Sequence, residues 1–441
     1  MIKEVASNYE KCEVSVHQLK FGMYVRELDR PWLDAPFKFQ GFYIRSIEDI
    51  QKLQELCDHV FIDLDRSRHL GTKVNISTDS KTEKKFKEQR EQFWLPDSEI
   101  LKNVDYEDAI SLEDELISAK ESRTNAVAVV ESLYADIRSG LSIDSTSTKT
   151  AIISLVDSVI RNPDAHALLA LLDERDEQRV THSLNVCILA LTFGRLFGFP
   201  RQYMIELGLG AMLHDVGQAK IPLEIVTKKG PLTDEEYEIM KSHTTLGMEL
   251  LLNESRQLPY RTIDIVYTHH ERYDGHGYPQ ELVGKAIPLY GRIVAIADFY
   301  EAVTSEYADR EMLTPGTAMT ELFTLRGVNF DENLVEEFIK CIGIFPIGCT
   351  VLLKSGEVGI VIAQNRKSRL KPRLMLILDK EEAFYPVPRL IDIGLFKGEE
   401  EEEEEEDEFR VVRIVSPNEY GIDVKHYIGN MINTIVKDDR V

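Results

Sequence analysis

The stretch VYTHHERYDGHGYPQEL, residues 266–282, places three of the chain's eleven histidines, His269, His270 and His276, within eight positions. Two of them are adjacent, and a glycine-punctuated turn from Asp274 to Pro279 follows at once. Glycine and proline account for the tightness of such a turn. They do not explain why two imidazoles stand at its entrance.

The flanks read as helix. SLNVCILALTFGRLFG (183–198) and ELGLGAMLHDVG (206–217) each run to a glycine. PLTDEEYEIMKSHTTLGMELL (231–251) opens with Thr233 and Glu236 at capping-box spacing and reads as one helix. PLYGRIVAIADFYEAVTS (288–305) reads as another, buried helix. Upstream, residues 105–139 read as one long helix, with Ala126, Val127, Val130, Leu133, Tyr134 and Ile137 at helical spacing, suited to a connector or to a homodimer's stalk. Past Ile342 the period turns to strands: CTVLLKSGEVGIVIAQ (349–364) as a hairpin about Ser355-Gly356, and RLMLILD (373–379) as a further strand. At the other end, FGMYVREL (21–28) and HVFIDL (59–64) read as strands around a short helix, SIEDIQKLQELC (46–57), and residues 67–98 turn polar and lysine-rich.

The expectation is therefore a multidomain, mainly α protein. It divides into a small N-terminal α/β domain (1–66), a linker and long connector helix (67–140), a helical domain (141–342) and a small C-terminal β-rich appendix (343–441). Its length of 441 residues allows about three cores. Five scattered cysteines without a CxxC pair argue against a disulfide framework and a thiolate zinc site. The net charge of −24 disfavours DNA or RNA polymers, which need a basic footprint. Ten of those charges form one block, Glu399 to Glu408, read as a solvated loop. With no apolar leader and no run of membrane-spanning length, the chain reads as cytoplasmic.

Seven ionisable residues sit on faces that should point inward: His182, His214, Asp215, His243, His269, His270 and Asp298. An inward carboxylate or imidazole alone is ordinarily a hydrogen-bonded core group. Seven on one helical bundle need each other or a cation, because an unpaired buried charge costs several kcal/mol. Imidazole and carboxylate without thiolate suit iron or manganese. The set exceeds what one ion needs, an aspartate can bridge two, and two such ions can share a hydroxide and grip a phosphodiester.

These residues resemble the HD superfamily of metal-dependent phosphohydrolases, and HHERYDGHGYP matches the HHE-x-x-DG-x-GYP pattern of its HD-GYP branch at every fixed position. The resemblance spans about residues 145–340, and residues 14–65 look like the small uncharacterised domain that often precedes it in bacterial proteins. It implies an HD-type helical bundle hydrolysing cyclic di-GMP to pGpG or GMP. By position it implies that His182, His214, Asp215 and Asp298 hold one ion, and that Asp215, His243, His269 and His270 hold a second. Glu271 would brace the imidazoles from behind without binding metal. Arg272, Asp274, Gly275, Gly277, Tyr278, Pro279 and Arg310 would shape or touch the nucleotide.

Three positions depart from the pattern. Gln178 stands where trimetal members have a glutamate, which favours two ions. Gln218 stands where the family has a lysine, leaving Lys220 as a substitute near the catalytic His214 and Asp215. Tyr307 replaces the first of two basic residues, the second being Arg310. These changes also suit a receptor that binds nucleotide without cleaving it, and the sequence identifies no base-reading residue, which leaves another cyclic dinucleotide open as substrate. In the N-terminal domain, Trp32, Phe37, Phe39 and Phe42 suit either a ligand pocket or, more commonly in a small domain, its own core, and the domain's position and family company imply a regulatory role or docking of a signalling partner.

Overall fold

The computed structural model describes residues 11–16, 19, 23–30, 42–44, 52–54, 56–63, 86, 97–100, 104–139, 145–173, 178–254, 258–305, 312–395 and 408–438. Most of the 46–57 helix, Trp32, Phe37, Phe39, most of the polar 67–98 stretch, Tyr307, Arg310 and the acidic block up to residue 407 lie outside them. The chain divides into two compact units, one of residues 1–85, 221–228 and 232–240, the other of the remainder.

In the first unit, β1 (Lys11–Ser15), β2 (Tyr24–Leu28), β3 (Phe42–Tyr43) and β4 (His59–Asp63) form an antiparallel sheet in the order β1-β4-β2-β3. Its core is Val16, Leu19, Met23, Val25, Leu28, Ile44, Leu53, Cys57, Val60 and Ile62. The same unit contains the expected capping box. The Thr233 amide donates to Glu236 Oε2 (2.8 Å) and the Glu236 amide to Thr233 Oγ1 (3.3 Å).

The second unit is helical with a terminal sheet. Its helices are α1 (Leu112–Ser139), α2 (Ser145–Arg161), α3 (Asp164–Ala170), α4 (Gln178–Leu196) and α5 (Arg201–Leu213), followed by α6 (Asp234–Lys241, whose last residue alone belongs here) and α7 (His243–Glu254). Then come α8 (Tyr260–Thr268), α9 (Leu289–Thr304), α10 (Pro315–Leu325) and α11 (Glu332–Ile342). β5 (Thr350–Leu353), β6 (Val358–Ala363), β7 (Arg373–Leu378), β8 (Phe384–Asp392) and β9 (Val411–Val415) form an antiparallel sheet in the order β8-β7-β6-β5-β9, and α12 (Val424–Asp438) closes the chain. The hairpin turn at Gly356 takes the positive φ (94°) that glycine permits.

Three elements differ from the reading. The long helix begins at Leu112 rather than near residue 105, because Ser111 Oγ accepts from the Asp114 amide (3.1 Å) as an N-cap. It packs against α2, α3 and α4 rather than standing free. The 231–251 segment is two helices, parted at Ser242, where Thr244 Oγ1 takes the Lys241 carbonyl (3.1 Å). α12 was not foreseen: the Asp423 carboxylate caps it at the His426 amide (3.0 Å), and Ile428 and Ile432 are buried.

One buried histidine belongs to the scaffold. His166 donates Nε2–H to Ser158 Oγ (2.8 Å), and Ser158 in turn donates to Glu115 Oε1 (2.5 Å), whose carboxylate also holds Arg161 (2.6 Å). Burial, with Arg123 and Arg161 nearby, pushes His166 from 6.5 down to about 3. The unfolded chain therefore takes up a proton near pH 6.5 that the folded chain refuses. This contribution to stability is complete above pH 6.5 and is lost as pH falls toward 3. Acidifying from pH 6.5 to 5 is expected to cost about 2 kcal/mol through this residue. Urea denaturation across that window should show the increment in the wild type and not in His166→Gln; parallel losses in the two proteins would refute it.

Candidate metal centre

Two helices present imidazoles from their C-terminal ends by the same device. His214 caps α5 and donates Nδ1–H to the Ala211 carbonyl (2.7 Å); His269 caps α8 and does the same to Val266 (3.0 Å). The last carbonyls of a helix lack intrahelical partners, so the pairing satisfies both groups and leaves each Nε2 free to face inward. His243 opens α7, which lies against the 3-10 turn Val216–Lys220 that follows Asp215. Gly217 makes that approach possible, since a Cβ there would lie 1.9 Å from the His243 carbonyl oxygen. α4 and α9 pack together and bring in His182 and Asp298.

The structure brings all seven candidate residues to one place, with Asp215 in the middle. Its Oδ2 lies 3.5 Å from His214 Nε2 and 3.9 Å from His182 Nε2. Its Oδ1 lies 3.3 Å from His243 Nε2 and 3.9 Å from His269 Nε2. Asp298 Oδ1 stands 3.1 Å from His182 Nε2 and 4.0 Å from His214 Nε2. Ligand atoms of Asp215, His243, His269 and His270 fall within 4.8 Å of one another, as do those of His182, His214 and Asp215.

The donor set fits metal ions on the geometry of its own atoms. His214 Nε2 is buried without a hydrogen-bond partner, and its Nδ1 already carries the ring proton, so a lone pair faces two carboxylates. His243 and His269 bring their Nε2 atoms to 3.2 Å, although His269 already donates through Nδ1. The His214 lone pair aimed at carboxylate oxygens is repelled unless a cation lies among them.

Titration behaviour divides the centre. Burial opposes charge on His182, yet hydrogen bonds to Asp298 and Glu301 lift it well above its ordinary value. Burial likewise opposes charge on His214, and the Asp215 carboxylate raises it nonetheless. Burial would lift Asp215, but His214, His243 and His182 hold it well below the usual carboxylate range. His269 is pushed well down by burial and by His270, and His270 to about 3 by burial and by His243. His182 and His214 thus demand positive charge nearby, whereas His269 and His270 offer neutral imidazoles, the form in which a histidine binds metal.

The signature loop forms the rim. Glu271, buried, accepts from the amides of Gln280 (2.7 Å) and Leu282 (2.9 Å) and so closes the loop. Gly275 has φ +84°, and a Cβ on Gly277 would meet the Arg272 amide nitrogen at 2.2 Å. Arg272 holds Asp274 through two hydrogen bonds (2.7 and 3.2 Å), and the exposed His276 lies 3.4 Å from the same carboxylate. Tyr278, followed by Pro279, stacks on His270 with ring centroids 4.9 Å apart. Lys220 is exposed at the end of the 3-10 turn. Glu301, which the sequence reading passed over, is buried against His182 Nδ1. Its signal was its position three residues after Asp298, on the same face of α9.

A family model described as HD domain matches residues 166–334. Another, described as a domain of unknown function (DUF3391), matches residues 11–148, well beyond the stretch to residue 65. The chain is 32% identical over 384 residues to a cyclic di-GMP phosphodiesterase of Pseudomonas aeruginosa, covering 86% of this chain and 88% of the relative. It is 36% identical over 174 residues to a cyclic di-GMP phosphodiesterase of Thermotoga maritima, covering 39% and 47%. It is 33% identical over 168 residues to a 3'3'-cGAMP-specific phosphodiesterase of Vibrio cholerae, covering 38% and 32%.

Proposed function

The chain belongs to the HD-domain family of cyclic di-GMP phosphodiesterases, and from that membership we propose that it hydrolyses cyclic di-GMP at the centre around Asp215, yielding pGpG or GMP. The observation that carries this reading is the division of one carboxylate, with Oδ2 toward His214 and His182 and Oδ1 toward His243 and His269. We assign one divalent ion, iron or manganese, to His182, His214, Asp215 and Asp298, and a second to Asp215, His243, His269 and His270. Such ions, when bound, polarise a phosphodiester and lower the pKa of water.

The chain's own residues do the rest. The Ala211 and Val266 carbonyls fix which nitrogen each imidazole presents. Burial of His214, His243 and His269 keeps bulk water from behind the ligands. Glu271 and the Arg272–Asp274 pair hold the loop so that Gly275, Gly277, Tyr278 and Pro279 form the lip at which the nucleotide enters. With a net charge of −24, the protein offers little general attraction to an anion, so Lys220, at the end of the 3-10 turn that follows Asp215, and Arg310, by the family resemblance, are assigned to its phosphates. No described helix is long and apolar enough to cross a membrane. A signalling partner docking on the N-terminal domain, and a homodimer, belong to the same proposal.

The test is elemental analysis of anaerobically purified protein together with turnover of cyclic di-GMP and of 3'3'-cGAMP. About two iron or manganese ions per chain are expected, with cyclic di-GMP cleaved faster. Full metal content with binding but no product would make the protein a receptor. Faster cleavage of 3'3'-cGAMP would move it beside the Vibrio cholerae relative.

A further inference from the structure

Glu301 lies on α9, 5% exposed, in a part of the bundle where an unpartnered carboxylate would be costly. Both of its oxygens are used. Oε2 takes His182 Nδ1, and Oε1 accepts from Ser305 Oγ (2.7 Å) at the end of the same helix. The Ser305 amide also donates to the Glu301 carbonyl (2.9 Å), so the carboxylate is fixed by the helix terminus that carries it.

His182 differs from His214 and His269 in one respect. Those two ends of helices supply their own carbonyl to Nδ1, whereas His182 stands in the first turns of α4, where backbone groups without intrahelical partners are amides rather than carbonyls. An acceptor for its Nδ1–H has to come from another element, and α9 provides it one turn beyond Asp298. The two acidic residues of α9 then grip opposite nitrogens of one ring: Asp298 at Nε2 (3.1 Å) and Glu301 at Nδ1.

We propose that Glu301 is the positioning residue for His182, fixing its tautomer and ring orientation so that Nε2 faces the metal centre while α4 is tied to α9. The inference rests on the metal-centre reading above and concerns only the ion assigned to His182, His214, Asp215 and Asp298. A carboxylate behind a ligating imidazole also raises its basicity, and loss of such a partner typically weakens metal binding by about 10–100-fold.

The test measures metal affinity by competition with a chromophoric chelator, using manganese and zinc, on wild type, Glu301→Gln, Glu301→Ala, Glu301→Asp and His182→Ala. One ion is expected to weaken by about 10–100-fold in Glu301→Ala, and by less in Glu301→Gln, whose amide oxygen still accepts but carries no charge. The other ion should keep wild-type affinity. Combining Glu301→Ala with His182→Ala should add little to His182→Ala alone, because the two act as a unit. In nitrogen-15 spectra of the zinc-loaded wild type, His182 should carry its proton on Nδ1, and Glu301→Ala should lose that fixed tautomer; partial rescue by Glu301→Asp would mark positioning rather than packing. Wild-type affinity at both ions in Glu301→Ala and Glu301→Gln overturns the inference and leaves the centre standing. A wild type that takes up no metal overturns the centre, and this inference with it.

Discussion

Asp215→Ala is expected to abolish metal retention and cyclic di-GMP turnover together. Every other candidate ligand serves one half of the centre, whereas Asp215 sends one oxygen to His214 and His182 and the other to His243 and His269. Its removal deletes a ligand from both halves and leaves His243, His269 and His270 without the carboxylate assigned to their ion, while Asp298 still faces His182 and His214. The expected fall in kcat/KM is on the order of a thousandfold or more, equivalent to about 4 kcal/mol of lost transition-state stabilisation. Metal content by elemental analysis should fall in parallel, whereas a folded variant that kept both ions and near wild-type turnover would remove the bridge from the mechanism. Asp298→Ala is the natural comparison, since its distances tie it to the His182 and His214 side only.

Gly217→Ala is expected to be nearly as damaging without touching a ligand. A Cβ at this position would lie 1.9 Å from the His243 carbonyl oxygen and 2.6 Å from the Gly247 amide nitrogen. Both obstacles are backbone, so no side chain can swing aside, and the turn after Asp215 must part from the start of α7. Overpacking of this kind costs about 3 kcal/mol or more, and it moves His243 away from Asp215 Oδ1, from which it now stands 3.3 Å. Thermal or urea denaturation and metal competition should both register the change. Gly316→Ala is the control, because nothing lies within 4 Å of the added carbon and alanine suits a helix better than glycine. Equal stability of the two variants would contradict the close approach described here.

Several of the candidate ligands were legible in the sequence because they break a local pattern. Asp298 interrupts an apolar run, His214 and Asp215 stand at a glycine-terminated helix end, and His269 and His270 precede a turn that no helix continues through. Their convergence was legible only through the motif, since residues 116 positions apart, such as His182 and Asp298, carry no mark of contact. Glu301 escaped because an acidic residue near a helix end, one turn before Thr304 and Ser305, reads as a solvated group. Its burial depends on α4 lying across it, which is a tertiary fact. Glu115 escaped for the same reason: it sits among the acidic residues of the first turn of α1, yet is fully buried on Arg161 and Ser158. The parting at Ser242 was hidden because no proline or glycine marks it, and only the run of Ser242, His243, Thr244 and Thr245, all modest helix formers, hinted at a break that the Thr244 hydroxyl accompanies by donating to the Lys241 carbonyl.

The β-rich end was read as an appendix, but its inner face shares side chains with the helices. Leu112, Leu116 and Ala119 of α1 and Leu168 of α3 lie in one apolar cluster with Ile360, Ile362, Met375 and Ile377 of the sheet and Ile428 and Ile432 of α12. Arg366, between β6 and β7, reaches Asp164 and Asp108 (2.5 Å each). The described residues of the sheet and α12 are thus a retaining wall for the hydrolytic bundle. An edit to the inner side chains of its strands is therefore an edit to the packing of α1 and α3, because one apolar cluster serves all three.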